Sequence, residues 1–308
     1  MTTHFITFRD LTVSQYYHIF ERASFLKKER RSGQYRLDHL KGRAVGVFFN
    51  KHSTRTRVSF ECAINELGGQ PIIMNLNDSQ FSRGEPLSHS ARVLSGYLAA
   101  LVIRTYEESQ LTELAKWGSI PVINALTDDR HPCQVLTDIF TLYERLGSKK
   151  LSDQLICWIG DGNNMANTWV EAAAVLGFGL NLACPEGYEP KAEILKRAYQ
   201  ENPKIKLTRS PLEAAEGATA VNTDVFTSMG QESEKEKRLK DFKDFQVDSN
   251  VMAKAAPGAI FMHCLPAHPG EEATNEVIES EASVVFEEAE NRLHVQKALL
   301  EFIIPKLI

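Results

Sequence analysis

The chain of 308 residues has no run of five or more basic residues, and its formal net charge is −5. Together these exclude a general nucleic-acid binder and confine any positive site to a local pocket. No apolar stretch is long enough to cross a bilayer. Cysteine is scarce and odd in number: Cys62, Cys133, Cys157, Cys184 and Cys264 show no C-x-x-C spacing. That pattern excludes a disulfide framework and favours reduced thiols. None of the 9 histidines stands three or four residues from another, so no helix offers a histidine pair to a metal, and no metal or cofactor is expected. Sequence repeats and low-complexity tracts are absent. The first twenty residues lack the basic-then-apolar pattern of a secretory leader, so the expected location is cytoplasmic.

What is present is an alternation of strand-length apolar runs with helix-period segments, the signature of an α/β protein. The runs are 44–49, 71–76, 99–104 and 121–125, then 154–159, 179–184, 220–223, 259–262 and 284–286. A helix over 132–146 ends in Gly147-Ser148-Lys149-Lys150, a composition suited to a boundary. The economical architecture is two doubly wound parallel-sheet domains with an interdomain active-site cleft, over 1–147 and 148–286. Residues 287–308 are expected to form a C-terminal helix returning to the first domain. The charged stretch 231–244 reads as a surface loop or mobile segment, suited to closing over a ligand.

Ser53-Thr54-Arg55-Thr56-Arg57 is the most informative stretch. It follows the first apolar run and precedes Phe60, Ile64 and Leu67 at helical spacing, with Gly68-Gly69 as a stop. Its hydroxyls and guanidiniums therefore fall at a helix N-terminus, where free N–H groups and the dipole favour an anion. A plain N-cap with solvated arginines is the competing reading. Cations are unfavourable at that position unless an anion is present, which favours a phosphate site.

Further polar groups fall at or just after predicted strands, where open α/β sheets place ligands. Arg104 closes one run, and His131-Pro132-Cys133-Gln134 opens the boundary helix. Asp161-Gly162-Asn163-Asn164, Asp224 and His263-Cys264-Leu265-Pro266 follow others. Gly160-Asp161-Gly162 invites a dinucleotide reading, but Met165 stands where the fingerprint needs a third small residue. Asn163 and Asn164 instead offer amides suited to a carboxylate. Cys264 would need a base and a positive environment to act as a nucleophile.

The ordered set Ser53-Thr54-Arg55-Thr56-Arg57, His131-Pro132-Cys133-Gln134, Asp224-Val225-Phe226-Thr227-Ser228-Met229-Gly230 and His263-Cys264-Leu265-Pro266 resembles the ornithine carbamoyltransferase family across nearly the whole chain. The first motif marks the wider carbamoyltransferase superfamily; the last two are specific to the ornithine enzymes. The resemblance implies that Ser53, Thr54, Arg55 and Thr56 grip the phosphate of carbamoyl phosphate, with Gln80 contributing from a loop at a subunit interface. It implies that Arg104, His131 and Gln134 hold the carbamoyl carbonyl and bridging oxygen. Cys264 and Leu265 would lie near the reacting carbon and amine, with Arg292 approaching the carbamoyl group. Arg55, Arg104, His131 and Cys264 are the implied catalytic set. Asn164, Asp224, Ser228 and Met229 would receive the amino-acid end of ornithine. A homotrimer or a multiple of trimers, working in arginine biosynthesis, is also implied. An oxidoreductase and a non-catalytic ligand-binding protein stand as the alternatives.

Overall fold

Four strands of the first part of the chain pair in parallel: β1 (Ala44–Phe49), β2 (Gln70–Asn75), β3 (Ala100–Arg104) and β4 (Val122–Leu126). Their spatial order is β2-β1-β3-β4, so the chain winds outward from β1 in both directions. Every residue of β3 and β4 is buried, as parallel strands covered on both faces require. Phe5 adds a backbone bridge beside Ile123 on β4. The helices of this part are α1 (Val13–Arg31), α2 (Thr54–Glu66), α3 (Leu87–Ser95) and α4 (Glu108–Trp117), followed by α5 (Pro132–Leu146). The computed structural model describes residues 2–34, 37–51, 53–76, 84–147, 149–228, 230 and 232–306. It forms two compact units, Met1–Phe140 with Glu290–Ile308, and Thr141–Ala289.

The second unit holds a five-stranded parallel sheet in the order β7-β6-β5-β8-β9. These strands are β5 (Leu155–Ile159), β6 (Gly179–Ala183), β7 (Ile205–Thr208), β8 (Ala220–Thr223) and β9 (Ile260–His263). Helices α6 (Asn164–Leu176), α7 (Ala192–Glu201), α8 (Pro211–Ala215), α9 (Lys235–Asp241), α10 (Ser249–Lys254) and α11 (Asn275–Ile278) join them. One face of the sheet packs Cys157, Ile159, Val221 and Phe261 against Phe226, Phe242 and Val251. The two-domain, all-parallel α/β class read from the sequence is therefore the observed one.

Three local expectations change. Residues 284–286 are not a strand: Val285 opens α12 (Val285–Ile303), whose first turn carries Glu287 and Glu288. Acidic groups there complement the dipole and mark a helix start. Strand β7 was not expected, because Ile205-Lys206-Leu207-Thr208 carries only two large apolar residues. The charged stretch 231–244 is partly helical, with a short 3-10 turn at Glu232–Glu234 leading into α9.

Candidate active site

Both sheets reverse their winding direction at one point, between β1 and β3 in the first unit and between β5 and β8 in the second. The loops leaving these strands at their C-terminal ends carry most of the polar side chains singled out from sequence, as the switch-point rule expects.

In the first unit, Ser53 is the N-cap of α2, with extended backbone, and its hydroxyl accepts the Thr56 N–H at 3.2 Å. The cap satisfies one orphan donor and leaves others of the first turn directed outward. Thr54 is exposed and Arg55 half-buried. Arg55 has no partner among the described residues, whereas Arg57 is neutralised by Glu61 one turn on, at 2.8 Å. Among the described residues, the helix N-terminus thus keeps a cationic group with no fixed counter-charge, which is the arrangement that suits an anion.

Behind that turn lies a buried relay. Arg292 of α12 donates through Nη2 to Thr56 Oγ1 at 2.7 Å and through Nη1 to Gln134 Oε1 at 2.6 Å. Gln134 in turn donates through Nε2 to Asp138 Oδ1 at 2.8 Å. The guanidinium fork therefore ties α2 and α5 to α12 within this unit. Arg104, the last residue of β3, and His131, just before α5, are buried in the same unit. Burial, together with the charges of Arg292 and Arg104, holds His131 well below the ordinary imidazole range. A neutral imidazole at this place keeps one N–H to donate and brings no positive charge. Cys133, next in sequence, is not reactive: burial pushes its thiol up to about 12, and its Sγ donates to Asn124 O at 3.3 Å.

In the second unit the strand ends of β5, β8 and β9 converge on one carboxylate. Asp224 follows β8 and accepts the Val225 N–H at 2.8 Å and the Cys264 thiol at 3.2 Å through Oδ1. Through Oδ2 it accepts the Asn163 amide at 3.0 Å. Asn163 is also the N-cap of α6, its Oδ1 accepting from Met165 and Ala166 N–H. The sequence offers the amides of both Asn163 and Asn164 here, and the resemblance implies Asn164 for the amino acid; Asn163 is the one whose amide meets Asp224. The double role of Asn163 was readable in part, because Asn before a helical run is an N-cap signal. Ser228 and Leu265 are half-buried in the loops after β8 and β9. Gln80 and Met229 lie outside the described residues.

The glycines at 160 and 162 have local structural reasons. Gly160 has a φ of +135°, a region closed to other residues, and a Cβ on Gly162 would meet the Glu189–Pro190 peptide at 2.1 Å. Asp161 between them pairs with the buried Arg238 of α9, which also donates from Nε to Phe226 O at 2.5 Å. Burial pushes the Asp161 carboxyl up to about 6, against the pull of Arg238. Arg238 was hidden from sequence reading inside a stretch that looked like a solvated loop.

Among the described residues, two groups bring potential metal-ligand atoms within 4.8 Å of one another: Asp224, His263 and Cys264, and His268, Glu271 and Glu272. In the first, the Asp224 oxygens already take three donors and the His263 ring is used on both nitrogens. In the second, Lys235 sits on Glu271 at 2.8 Å. Internal hydrogen bonds and charge pairing account for both groups.

Two family models match this chain. The aspartate/ornithine carbamoyltransferase carbamoyl-P binding domain matches residues 3–144, and the Asp/Orn binding domain of the same family matches residues 152–303. The chain is 52% identical over 303 residues to ornithine carbamoyltransferase of Oleidesulfovibrio alaskensis, covering 98% of this chain and 99% of that one. Against ornithine carbamoyltransferase of Desulfotalea psychrophila it is 51% identical over 302 residues, covering 98% and 99%. Among solved structures, ornithine carbamoyltransferase from Pyrococcus furiosus superposes with a TM-score of 0.93 at 41% identity, covering 98% of this chain and 97% of that one. The anabolic ornithine carbamoyltransferase from Campylobacter jejuni superposes with a TM-score of 0.91 at 40% identity, covering 98% of both.

Proposed function

The chain belongs to the aspartate/ornithine carbamoyltransferase family, and we infer from this membership that it transfers the carbamoyl group of carbamoyl phosphate to the δ-amine of L-ornithine, giving L-citrulline and phosphate. The observation that carries the choice of acceptor is Asp224: an acidic side chain at the switch point of the second sheet, suited to an α-ammonium that an acetylated acceptor lacks.

We propose residues 1–147 as the carbamoyl phosphate-binding domain, 148–286 as the ornithine-binding domain and 287–308 as the C-terminal helix. Ser53, Thr54, Arg55 and Thr56, with Gln80, receive the phosphate; Arg104, His131 and Gln134 receive the carbamoyl end. The neutral δ-amine attacks the carbonyl carbon, a tetrahedral oxyanion forms, and the C–O bond to phosphate breaks. Arg55, Arg104 and the neutral His131 donate to the oxygens on which charge builds, and each such donor is typically worth about 10²–10³ in rate. The departing phosphate accepts the amine proton, so no protein base is required. Asp224 takes the α-ammonium of ornithine, while Asn164, Ser228 and Met229 complete the amino-acid pocket. Cys264 and Leu265 shape the approach of the amine. Arg292 acts through Thr56 and Gln134, and its two hydrogen bonds to them support that role.

We further propose that three copies, or a multiple of three, form the working enzyme, in the cytoplasm and in arginine biosynthesis. The five free cysteines support a reducing compartment. The test of the function is citrulline formation with ornithine, N-acetylornithine, putrescine and aspartate offered in parallel as acceptors. Turnover with ornithine alone is the expected result. Turnover with another acceptor would keep the family and overturn the role of Asp224.

A further inference from the structure

His263, the last residue of β9, and Glu272, nine residues on, are both 0% exposed and outside the set of groups that meet the substrates. Their hydrogen bonds determine a single arrangement. Leu265 N–H can only donate, and it lies 2.9 Å from His263 Nδ1, so Nδ1 carries the lone pair. The ring proton is therefore on Nε2, which donates to Glu272 Oε1 at 3.0 Å. The same Oε1 accepts the His268 N–H at 2.6 Å, so one carboxylate oxygen holds both ends of the turn 263–268. The start of that turn is fixed again where His263 N–H donates to Glu288 Oε2 at 3.1 Å.

The turn is held for a reason that its backbone shows. Leu265 has a φ of +55°, the left-handed region, and it is the one non-glycine residue there among those described. A branched side chain in that region is strained and persists only where the surroundings over-determine it. The neighbouring Cys264 is the residue whose thiol meets Asp224 at 3.2 Å. We propose that His263 and Glu272 form a positioning dyad: the carboxylate selects the ring tautomer, the ring holds the Leu265 peptide in its strained conformation, and Cys264 and Leu265 are thereby aimed at the reacting amine. This rests on the carbamoyl-transfer reading of the site. The dyad touches neither substrate and acts only through the turn.

The experiment compares Glu272→Ala, Glu272→Gln and His263→Asn in a Cys62→Ala background. Cys62 and Cys264 are the half-buried cysteines and the other three are buried, so in this background a thiol reagent reports on Cys264. Glu272→Ala should lower kcat on the order of 10²-fold, the typical cost of about 1 Å of misplacement. It should also raise the rate of Cys264 labelling at least about 10-fold, a factor worth about 1.4 kcal/mol of loosening. Glu272→Gln keeps an oxygen to accept from His263 and His268, and both readouts should stay within about threefold of the parent. His263→Asn keeps an acceptor near Leu265 N–H but loses the reach to Glu272, so it should fall between the two.

A folded Glu272→Ala with parental kcat and parental Cys264 labelling would overturn the dyad, as would a Glu272→Gln as impaired as Glu272→Ala. Should the alanine variant fail to fold, nitrogen-15 spectra of the histidines in the unaltered protein decide the matter. A His263 ring protonated on Nε2 alone supports the dyad, and one protonated on Nδ1 overturns it. Labelling and tautomer are read without turnover, so they separate failure of the dyad from failure of the functional assignment.

Discussion

Asp224 shows how much of the site resides in single atoms. Its two oxygens accept from Asn163, Val225 and Cys264, and all three groups are donors in this geometry. An amide at this position would turn one oxygen into a donor facing another donor. Asn163 cannot rotate to relieve the clash, because its own Oδ1 caps α6. Asp224→Asn therefore loses the charge for the ornithine α-ammonium and disturbs its own socket. A lost hydrogen bond to a charged group costs about 1.5–3 kcal/mol, so the ornithine KM should rise about 10–100-fold. Steady-state kinetics with each substrate varied in turn checks this, and an equal rise in the carbamoyl phosphate KM would make Asp224 a structural residue. At this scale the sequence showed which side-chain types stand at the strand ends, Ser53, Arg55, His131 and Asp224 among them. It could not show that Asn163 and Asp224, 61 residues apart, share a hydrogen bond.

At the scale of elements, α2 and α12 make the contrast. The start of α2 was legible because its signals are local: a Ser cap, then apolar residues at helical spacing. The start of α12 was not, because Val284-Val285-Phe286 reads equally as a short buried strand, and periodicity cannot separate the two over three residues. The same helix carries a testable electrostatic feature. His294 is buried, and desolvation, reinforced by Lys27 and Lys297, lowers its pKa to about 4 despite Glu290 at 3.5 Å. The unfolded chain therefore binds a proton between about pH 6.5 and 4 that the folded chain does not. The His294 contribution is complete above pH 6.5 and is lost as pH falls through that window. Replacing it with a residue that cannot titrate, His294→Gln, should flatten the fall of unfolding free energy between about pH 6.5 and 4, by on the order of 2 kcal/mol, and with it the fall of Tm. Thermal melts at half-unit pH steps measure this, and an unchanged slope would remove His294 as the cause. Helix α9 belongs with these cases: its Lys237–Asp241 pair at i,i+4 is a surface helix signal. The buried reach of Arg238 to Asp161, 77 residues away, has no local signature.

For the whole molecule, the acidity of His131 and the basicity of the substrate make a joint prediction. His131 stays neutral through the neutral range, because burial and two guanidiniums disfavour its protonated form. The δ-amine of ornithine, a lysine-like group with an ordinary pKa of about 10, must lose its proton to attack. The kcat/KM for ornithine should therefore climb steadily from pH 7 to 9, with no inflection near 6.5. An inflection there would assign the limiting proton to a histidine. Sedimentation at three times the 34.6 kDa chain mass is the expected result for the assembly, and a stable monomer with full activity would end the trimer proposal. By itself the sequence determined the α/β class, most strands and helices, and the types of side chain available at the strand ends. Those depend on period, caps and turn residues within a few positions of one another. Only the tertiary structure decided which groups meet: Arg292 with Thr56 and Gln134 across 236 and 158 residues, and Cys264 with Asp224 across 40. Such contacts follow from strand order and register, and these are settled by packing the whole sheet rather than by any local pattern.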